Sequence, residues 1–467
     1  MELIIVFFKY TFMKKKIKSV NPFTEEVNWE FELLEKQDLD NIINTSHKAY
    51  LKWKNTPNSE KKNLFLRLAD EIEKDIDECS RLQTIEMWML YSDSKSWMTW
   101  TSNLIRWFAN NFEDILKEKE FDSDSIKGKQ IYDPIWVIFW IAPWNFPFNQ
   151  LLRAAVPNIL AWNTQIYKHS SNVPMCAEKI QELFDKAWFP KWVYTNVFVS
   201  SSLSEYIISN KYIAWVNLTG SEWAWSAVWA LAWKYLKPSV LELGWNDAFV
   251  VCESDNLDWV VELAASARVR NGWQACNCSK RFIVLEKYYD EFCDKLSKTM
   301  GNLVVWDPML SDTQLQPLSS MWAVEEIERQ VEKAVNSWAK LLTWWNKLDM
   351  KGYFMSPTVL CDVTPDVSSF NEEIFWPVAS VIKSKSIEES IDLANSTDFW
   401  LSAVVFWDDY EQLKQVASKL EWWMIFINQK AGSKAFLPFG WVKKSWYGKE
   451  NWPDWLKAFT NKKVVLY

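Results

Sequence analysis

Glycine is nearly missing from this chain, and tryptophan stands in its places. There are 34 Trp and 9 Gly in 467 residues, where ordinary usage of about 7% would supply roughly 33 glycines. Position matters more than the count. Trp precedes Asp-Pro at Trp306, follows helical runs at Trp188, Trp192 and Trp338, and forms turn-like doublets at Trp344-Trp345 and Trp422-Trp423, all places where backbones favour glycine. A residue with a Cβ forced into the left-handed region costs about 1–2 kcal/mol. If half of ~30 such sites need that geometry, the penalty is tens of kcal/mol against a folding margin of about 5–15. Most of these positions are therefore expected to be glycine in the working protein, encoded by UGA codons decoded as glycine but written as tryptophan. Trp53, Trp100, Trp107 and Trp144 lie in helical or aromatic surroundings and are expected to be genuine.

The length implies two or three domains. A net charge of −8, with no basic stripe, argues against nucleic acid or an anionic membrane surface as partner. The seven cysteines, Cys79, Cys176, Cys252, Cys276, Cys278, Cys293 and Cys361, are odd in number, mostly isolated and free of any Cys-x-x-Cys. That pattern fits a reducing compartment. With only two histidines, His47 and His169, no zinc site is expected. The apolar run Leu3 to Phe8 is too short to span a membrane and lacks signal-peptide features. Met13 is the expected start, and the cytoplasm the expected location.

Apolar residues recur at helical spacing over 38–120 (Leu39, Ile42, Ile43, Tyr50; Leu64, Leu66, Leu68, Ile72, Ile76). A β-rich stretch at 129–143 leads into an alternation: strand 164–168, helix 174–187, strand 193–199, helix 204–209, strand 213–218, helix 222–235, strand 239–243. Such alternation predicts a doubly wound α/β sheet. A second α/β unit is expected over 247–430, with a long helix at 322–337 and strands at 376–383 and 402–407. The tail ends in a strand-like Lys-Val-Val-Leu-Tyr.

Four segments carry the chemistry: Pro143-Trp144-Asn145-Phe146-Pro147, Leu241-Glu242-Leu243-Gly244-Trp245-Asn246-Asp247, Asn271-Gly272-Trp273-Gln274-Ala275-Cys276, and Glu372-Glu373-Ile374-Phe375-Trp376-Pro377. With Trp245, Trp273 and Trp376 read as glycine, they resemble the hallmark motifs of the aldehyde dehydrogenase superfamily, in order and at domain-scale spacing. The resemblance runs from about residue 19 to the C-terminus and includes 438–448. It implies an α/β fold with a Rossmann-like cofactor domain (13–120 and 137–245), an α/β catalytic domain (246–440) and a small β oligomerisation arm (121–136 and 441–467).

It further implies that Cys276 is the nucleophile, because a thiolate adds to an aldehyde carbon to give a thiohemiacetal from which hydride can leave. Asn145 corresponds to the oxyanion donor, and Glu242 to the general base that activates water for thioester hydrolysis. Trp144, Lys168, Ser171, Gly220, Ser221, Trp225, Gly244, Glu373 and Phe375 fall around the cofactor. Of these, Lys168 reaches the adenosine ribose, Gly220-Ser221 open a helix whose N-terminus can receive the pyrophosphate, and Glu373 holds the nicotinamide ribose. Ser171 stands where NAD-preferring members often carry a glutamate that repels a 2′-phosphate, which favours NADP with NAD still open.

Arg153 lies six residues after Pro147, where succinate-semialdehyde dehydrogenases carry an arginine that grips the substrate carboxylate. Lys168-His169-Ser170-Ser171-Asn172-Val173-Pro174 also resembles that branch. Succinate semialdehyde is the leading substrate, and a homodimer or homotetramer is expected. Cys278 is a candidate redox partner of Cys276. Three alternatives stand beside this reading: a broad-specificity enzyme, a CoA-acylating one, for which Glu242 is superfluous, and a non-catalytic Trp-rich carbohydrate-binding protein.

Overall fold

Helical spacing of apolar side chains organises the first quarter of the chain. The computed structural model describes residues 15–467 except 124, 243–245, 270, 272, 273, 276, 344, 345, 435, 438, 439, 441, 444, 445 and 448–451, and omits the side chains of 222, 241, 242, 399, 442, 443, 446, 447, 452 and 453. The expected start at Met13 lies outside these residues. A hairpin of β1 (Lys16–Val20) and β2 (Val27–Glu32) precedes α1 (Lys36–Trp53), α2 (Asn58–Lys74), α3 (Ile76–Met87) and α4 (Tyr91–Ile115). Leu39, Ile42, Ile43 and Tyr50 of α1, and Leu64, Leu68 and Ile72 of α2, are buried, whereas Leu66 of α2 and Ile76 at the start of α3 are half-buried. Helix stops short of residue 120: the charged Lys117 to Glu120 run has no apolar period, and β3 (Lys119–Ser123) begins there.

The β-rich stretch at 129–143 is two strands, β4 (Ile126–Pro134) and β5 (Val137–Ile141), in different sheets. Trp136, at φ 93°, separates them. Next come α5 (Pro147–Leu160), β6 (Thr164–Lys168), α6 (Pro174–Lys186), β7 (Tyr194–Asn196), α7 (Ser204–Ser209), β8 (Ile213–Thr219), α8 (Glu222–Lys234) and β9 (Ser239–Glu242). The remainder comprises β10 (Ala248–Glu253), α9 (Leu257–Val269), β11 (Arg281–Leu285), α10 (Glu286–Gly301), α11 (Met321–Asn336), β12 (Lys340–Leu341), β13 (Thr358–Cys361), α12 (Ser368–Asn371), β14 (Val378–Ser384) and α13 (Ile387–Asn395). It ends with β15 (Phe399–Trp400), β16 (Ser402–Trp407), α14 (Tyr410–Lys419), β17 (Met424–Ile427), β18 (Val442–Lys443), β19 (Trp446–Tyr447), α15 (Trp452–Ala458) and β20 (Thr460–Leu466).

One sheet has the order β19-β9-β8-β5-β6-β7, a second β12-β13-β14-β11-β10-β16-β17, and a third β20-β4-β3. In β5 the alternate residues Val137 and Phe139 pack with α1, α7 and α8, while Ile138 and Trp140 pack with α2 to α6. A strand that buries both faces is what a doubly wound parallel sheet requires. β10 does the same in the second sheet, with Val250 and Cys252 on one side and Phe249 and Val251 on the other.

Among the described residues, eleven non-glycine residues have positive φ, and six are tryptophan: Trp88, Trp136, Trp162, Trp188, Trp192 and Trp338. Three of them end helices in one pattern. After α11, Trp338 N–H donates to Val335 O at 3.0 Å and Ala339 N–H to Ala334 O at 3.1 Å; Trp188 with Phe189, and Trp162 with Asn163, repeat it after α6 and α5. This is the Schellman arrangement, whose left-handed position usually belongs to glycine. Trp306, Trp422 and Trp423 are absent from the left-handed set. The expected turn at 422–423 is instead a place where the Trp422 ring is buried against Trp400 and Arg281. The doublet at 344–345 lies outside the described residues. Trp53 is buried and donates to Ile159 O at 2.9 Å, as a genuine core indole would.

Candidate active site

Four parallel strands end in register and set a row of polar residues along one sheet edge. Ile141 of β5 pairs with Lys168 of β6 on one side and Leu218 of β8 on the other, and Leu218 and Thr219 pair with Leu241 and Glu242 of β9. The loops that follow carry Asn145, the 169–173 segment and Gly220-Ser221. With about 4.8 Å between strands, Lys168 and Glu242, three strands apart, lie roughly 14 Å from each other. Ligands of open α/β sheets bind at this carboxyl edge.

Asn145, buried between β5 and α5, donates its amide to Gln274 O at 2.7 Å, and Asn271 donates to Asn145 O at 3.0 Å. The segment leading to position 276 is thus fastened to Asn145. Residue 276 itself, Gly244 and the Glu242 side chain lie outside what the structure describes; Glu242 is placed by its backbone, as the last residue of β9. Cys278 is buried, with its N–H directed to Ala275 O at 3.4 Å.

At the end of β6, burial lowers the Lys168 pKa, and its ammonium reaches His169 O at 3.4 Å. Ser171 is exposed. Glu86 of α3 accepts the amides of Met175 and Cys176, each at 2.8 Å, and so caps α6 from outside, fixing the far end of the 169–173 loop. Burial pushes the Glu86 pKa up to about 7, with the Ser19 hydroxyl and the two amides pulling the other way. Ser221 caps α8, its Oγ accepting Ala224 N–H at 3.4 Å. A Cβ at Gly220 would meet nothing closer than Leu218 Cδ1 at 3.8 Å, so the space beside this helix end is open to a phosphate. Trp225 sits in the first turn of α8, half-buried and stacked on Trp229.

The Phe375 ring meets Trp144 edge-on at 6.1 Å. Arg268 of α9, fully buried, donates to the carbonyls of Val378 and Ile374 at 2.9 Å and also to Trp376 O. Burial lowers its pKa to about 10. Glu373 Oε1 lies 3.0 Å from the buried Lys280 ammonium. Sequence reasoning assigned no role to Arg268, Lys280, Asn271 or Glu86; a lone charge on the apolar Ala-Ala-Ser-Ala-Arg-Val stretch was the one signal for Arg268. Arg153 on α5 is buried and donates to Gln150 Oε1 at 2.5 Å. Among the described residues, no group of three or more His, Cys, Asp or Glu could hold a metal ion, and no helix is long and apolar enough to cross a membrane.

Comparison with known proteins gives the family. Residues 10–465 match the model of the aldehyde dehydrogenase family. The chain is 34% identical over 452 residues to the succinate-semialdehyde dehydrogenase [NADP(+)] of Deinococcus radiodurans, covering 97% of this chain and 95% of the relative. It is also 34% identical to succinate-semialdehyde dehydrogenase [NADP(+)] 1 of Mycobacterium tuberculosis, covering 96% and 99%. Among solved structures, the succinic semialdehyde dehydrogenase of Streptococcus pyogenes in complex with NADP+ superposes with a TM-score of 0.94 at 31% identity, covering 96% of this chain and 99% of that one. The fold, the edge of the parallel sheet and these matches agree: this chain belongs to the aldehyde dehydrogenase family.

Proposed function

We propose that the protein oxidises succinate semialdehyde to succinate with NADP+ in preference to NAD+. The observation that carries the reading is the row along the sheet edge, from Lys168 through the Asn145 loop and Gly220-Ser221 to Glu242. Cys276 attacks the aldehyde carbon, and Asn145 with the backbone N–H of 276 holds the oxygen that becomes negative. The bound nicotinamide supplies the hydride acceptor. Glu242 then takes a proton from the water that cleaves the resulting thioester, releasing carboxylate and returning the thiol. In sum, aldehyde, NADP+ and water give carboxylate, NADPH and protons.

The chain's residues fit the cofactor. Open space beside Gly220, the capped start of α8, and the buried Glu373 Oε1, which has no hydrogen bond among the described residues, are what a dinucleotide needs. Trp144, Phe375, Trp225 and Gly244 complete its surroundings, and Ser171 leaves a 2′-phosphate unopposed. Arg153 is assigned to the substrate carboxylate, in line with the succinate-semialdehyde relatives. Cys278 is assigned as a redox partner of Cys276.

We assign 13–120 and 137–245 to cofactor binding, 246–440 to catalysis, and 121–136 with 441–467 to oligomerisation. The third sheet supports the last of these, since β3 is exposed throughout and lies at an edge that a second copy would cover. Buried free cysteines fit a reducing cytoplasm. The indole positions that end helices are glycine in the natural protein. Reduction of NADP+ and NAD+, followed by absorbance with succinate semialdehyde, glutarate semialdehyde and simple aldehydes, tests the function; equal rates on all aldehydes would overturn the substrate assignment.

A further inference from the structure

Lys280 is a buried cation paired with a carboxylate of the site. It leaves the nucleophile-bearing loop just before β11, and its backbone N–H donates to Asp247 O at 2.9 Å. Its ammonium lies 3.0 Å from Glu373 Oε1, yet that oxygen, fully shielded from solvent, lacks a directed hydrogen bond. The contact is therefore electrostatic and weakly oriented. Asp247 is a second acid that feels the Lys280 charge. Burial lifts its pKa to about 6, and the Lys280 charge works against that rise. The Asp247 carboxylate is itself fixed, accepting Ser402 Oγ at 2.6 Å and Ser402 N–H at 3.2 Å.

Resting on the assignment of Glu373 to the nicotinamide ribose, we propose that Lys280 is a positioning residue that holds the Glu373 carboxylate in the cofactor-free enzyme and yields it to the ribose hydroxyls when the dinucleotide binds. Stranding a buried ammonium would be costly. The Asp247 charge, near enough for Lys280 to lower its pKa, softens that cost when Glu373 leaves. The backbone under Glu373 does not have to move, because Arg268 pins the carbonyls of Ile374 and Val378 and Gln330 holds Glu373 O at 3.1 Å. Only a side-chain rotation is required, and cofactor and Lys280 compete for one carboxylate.

Direct binding, measured by calorimetry without aldehyde, tests this with two ligands. NADP+ carries the second ribose; adenosine 2′,5′-bisphosphate lacks it. Lys280→Met is expected to tighten NADP+ at least about fivefold, the low end of coupling between groups that share a partner, and to leave the bisphosphate unchanged. Lys280→Arg is expected to bind like the unsubstituted protein. In a Glu373→Gln background, Lys280→Met should have no effect. Should Lys280→Met not fold, Lys280→Gln makes the same test. Unchanged or weaker NADP+ binding, an equal change for the bisphosphate, or an effect that persists in Glu373→Gln would overturn the proposal. Failure of the unsubstituted protein to bind either ligand would instead remove the nicotinamide nucleotide reading beneath it.

Discussion

Replacing Trp338 by glycine should stabilise this protein. The residue follows α11 at φ 77°, closing a Schellman cap, and its side chain is 90% exposed. Relief of left-handed strain is worth about 1–2 kcal/mol. Almost no apolar burial is lost, because the ring is in solvent. Glycine's greater freedom in the unfolded chain takes back about 0.5–1 kcal/mol, leaving a net gain of roughly 1 kcal/mol. The same cap recurs at Trp188 and Trp162 with different losses. Trp188 gives up the Arg67 guanidinium 4.7 Å over its ring, and Trp162 gives up its bond to Asn58 Oδ1 at 3.1 Å and its contact with Lys61. The gain should therefore fall in the order 338, 188, 162. Urea unfolding of the three variants measures it, with Trp338→Ala as control, since alanine keeps the Cβ and the strain. A Trp338→Ala gain as large as that of Trp338→Gly would refute strain as the cause, and a destabilised Trp338→Gly would refute the whole argument. Peptide masses from the natural source then read the residue at each position directly.

Other outcomes follow from the site. Arg153→Met should lower kcat/KM for succinate semialdehyde about 10- to 100-fold, the worth of a charge-assisted pair, and leave simple aldehydes nearly unaffected; steady-state kinetics on both decides. Glu86 has its pKa raised from 4.5 to about 7 by burial. The folded protein thus holds a proton that the unfolded chain has released, and this contribution, of order 3 kcal/mol, is full below 4.5 and is lost as pH rises through 7. Unfolding free energies at about pH 5 and 8 should differ less in Glu86→Gln than in the unsubstituted protein. Cys278→Ser should abolish thiol-reversible inactivation by peroxide while leaving turnover intact; unchanged peroxide sensitivity would end the redox assignment.

Much of the fold was legible because period and burial agree. The strand at 164–168 and the helix at 204–209 coincide with β6 and α7, since β6 is a short, continuously buried run around Ile166-Tyr167 and α7 buries Ser204, Ile207 and Ile208 at helical spacing. The β1–β2 hairpin was not legible: its residues are mostly exposed or half-buried, and exposed strands leave no apolar pattern. The apolar pattern over 129–143 does not show the break between β4 and β5, because Trp136 reads as an apolar strand residue while its backbone turns; the resemblance alone put a boundary there. In the site, Asn145 and the strand ends were readable from motif positions. Lys280 and Arg268 were not, because pairing across 106 to 110 residues, as Arg268 does, creates no local period, and Glu86 looks like one of many helical acids until α6 is docked on it.

The central claim is that the sulfur of Cys276, which follows the Asn271 and Gln274 positions bonded to Asn145, forms the bond to the aldehyde carbon. Turnover of Cys276→Ala with succinate semialdehyde and NADP+ tests it most directly. A fall on the order of 10⁴-fold with NADP+ binding retained is the predicted result; undiminished turnover would contradict the account.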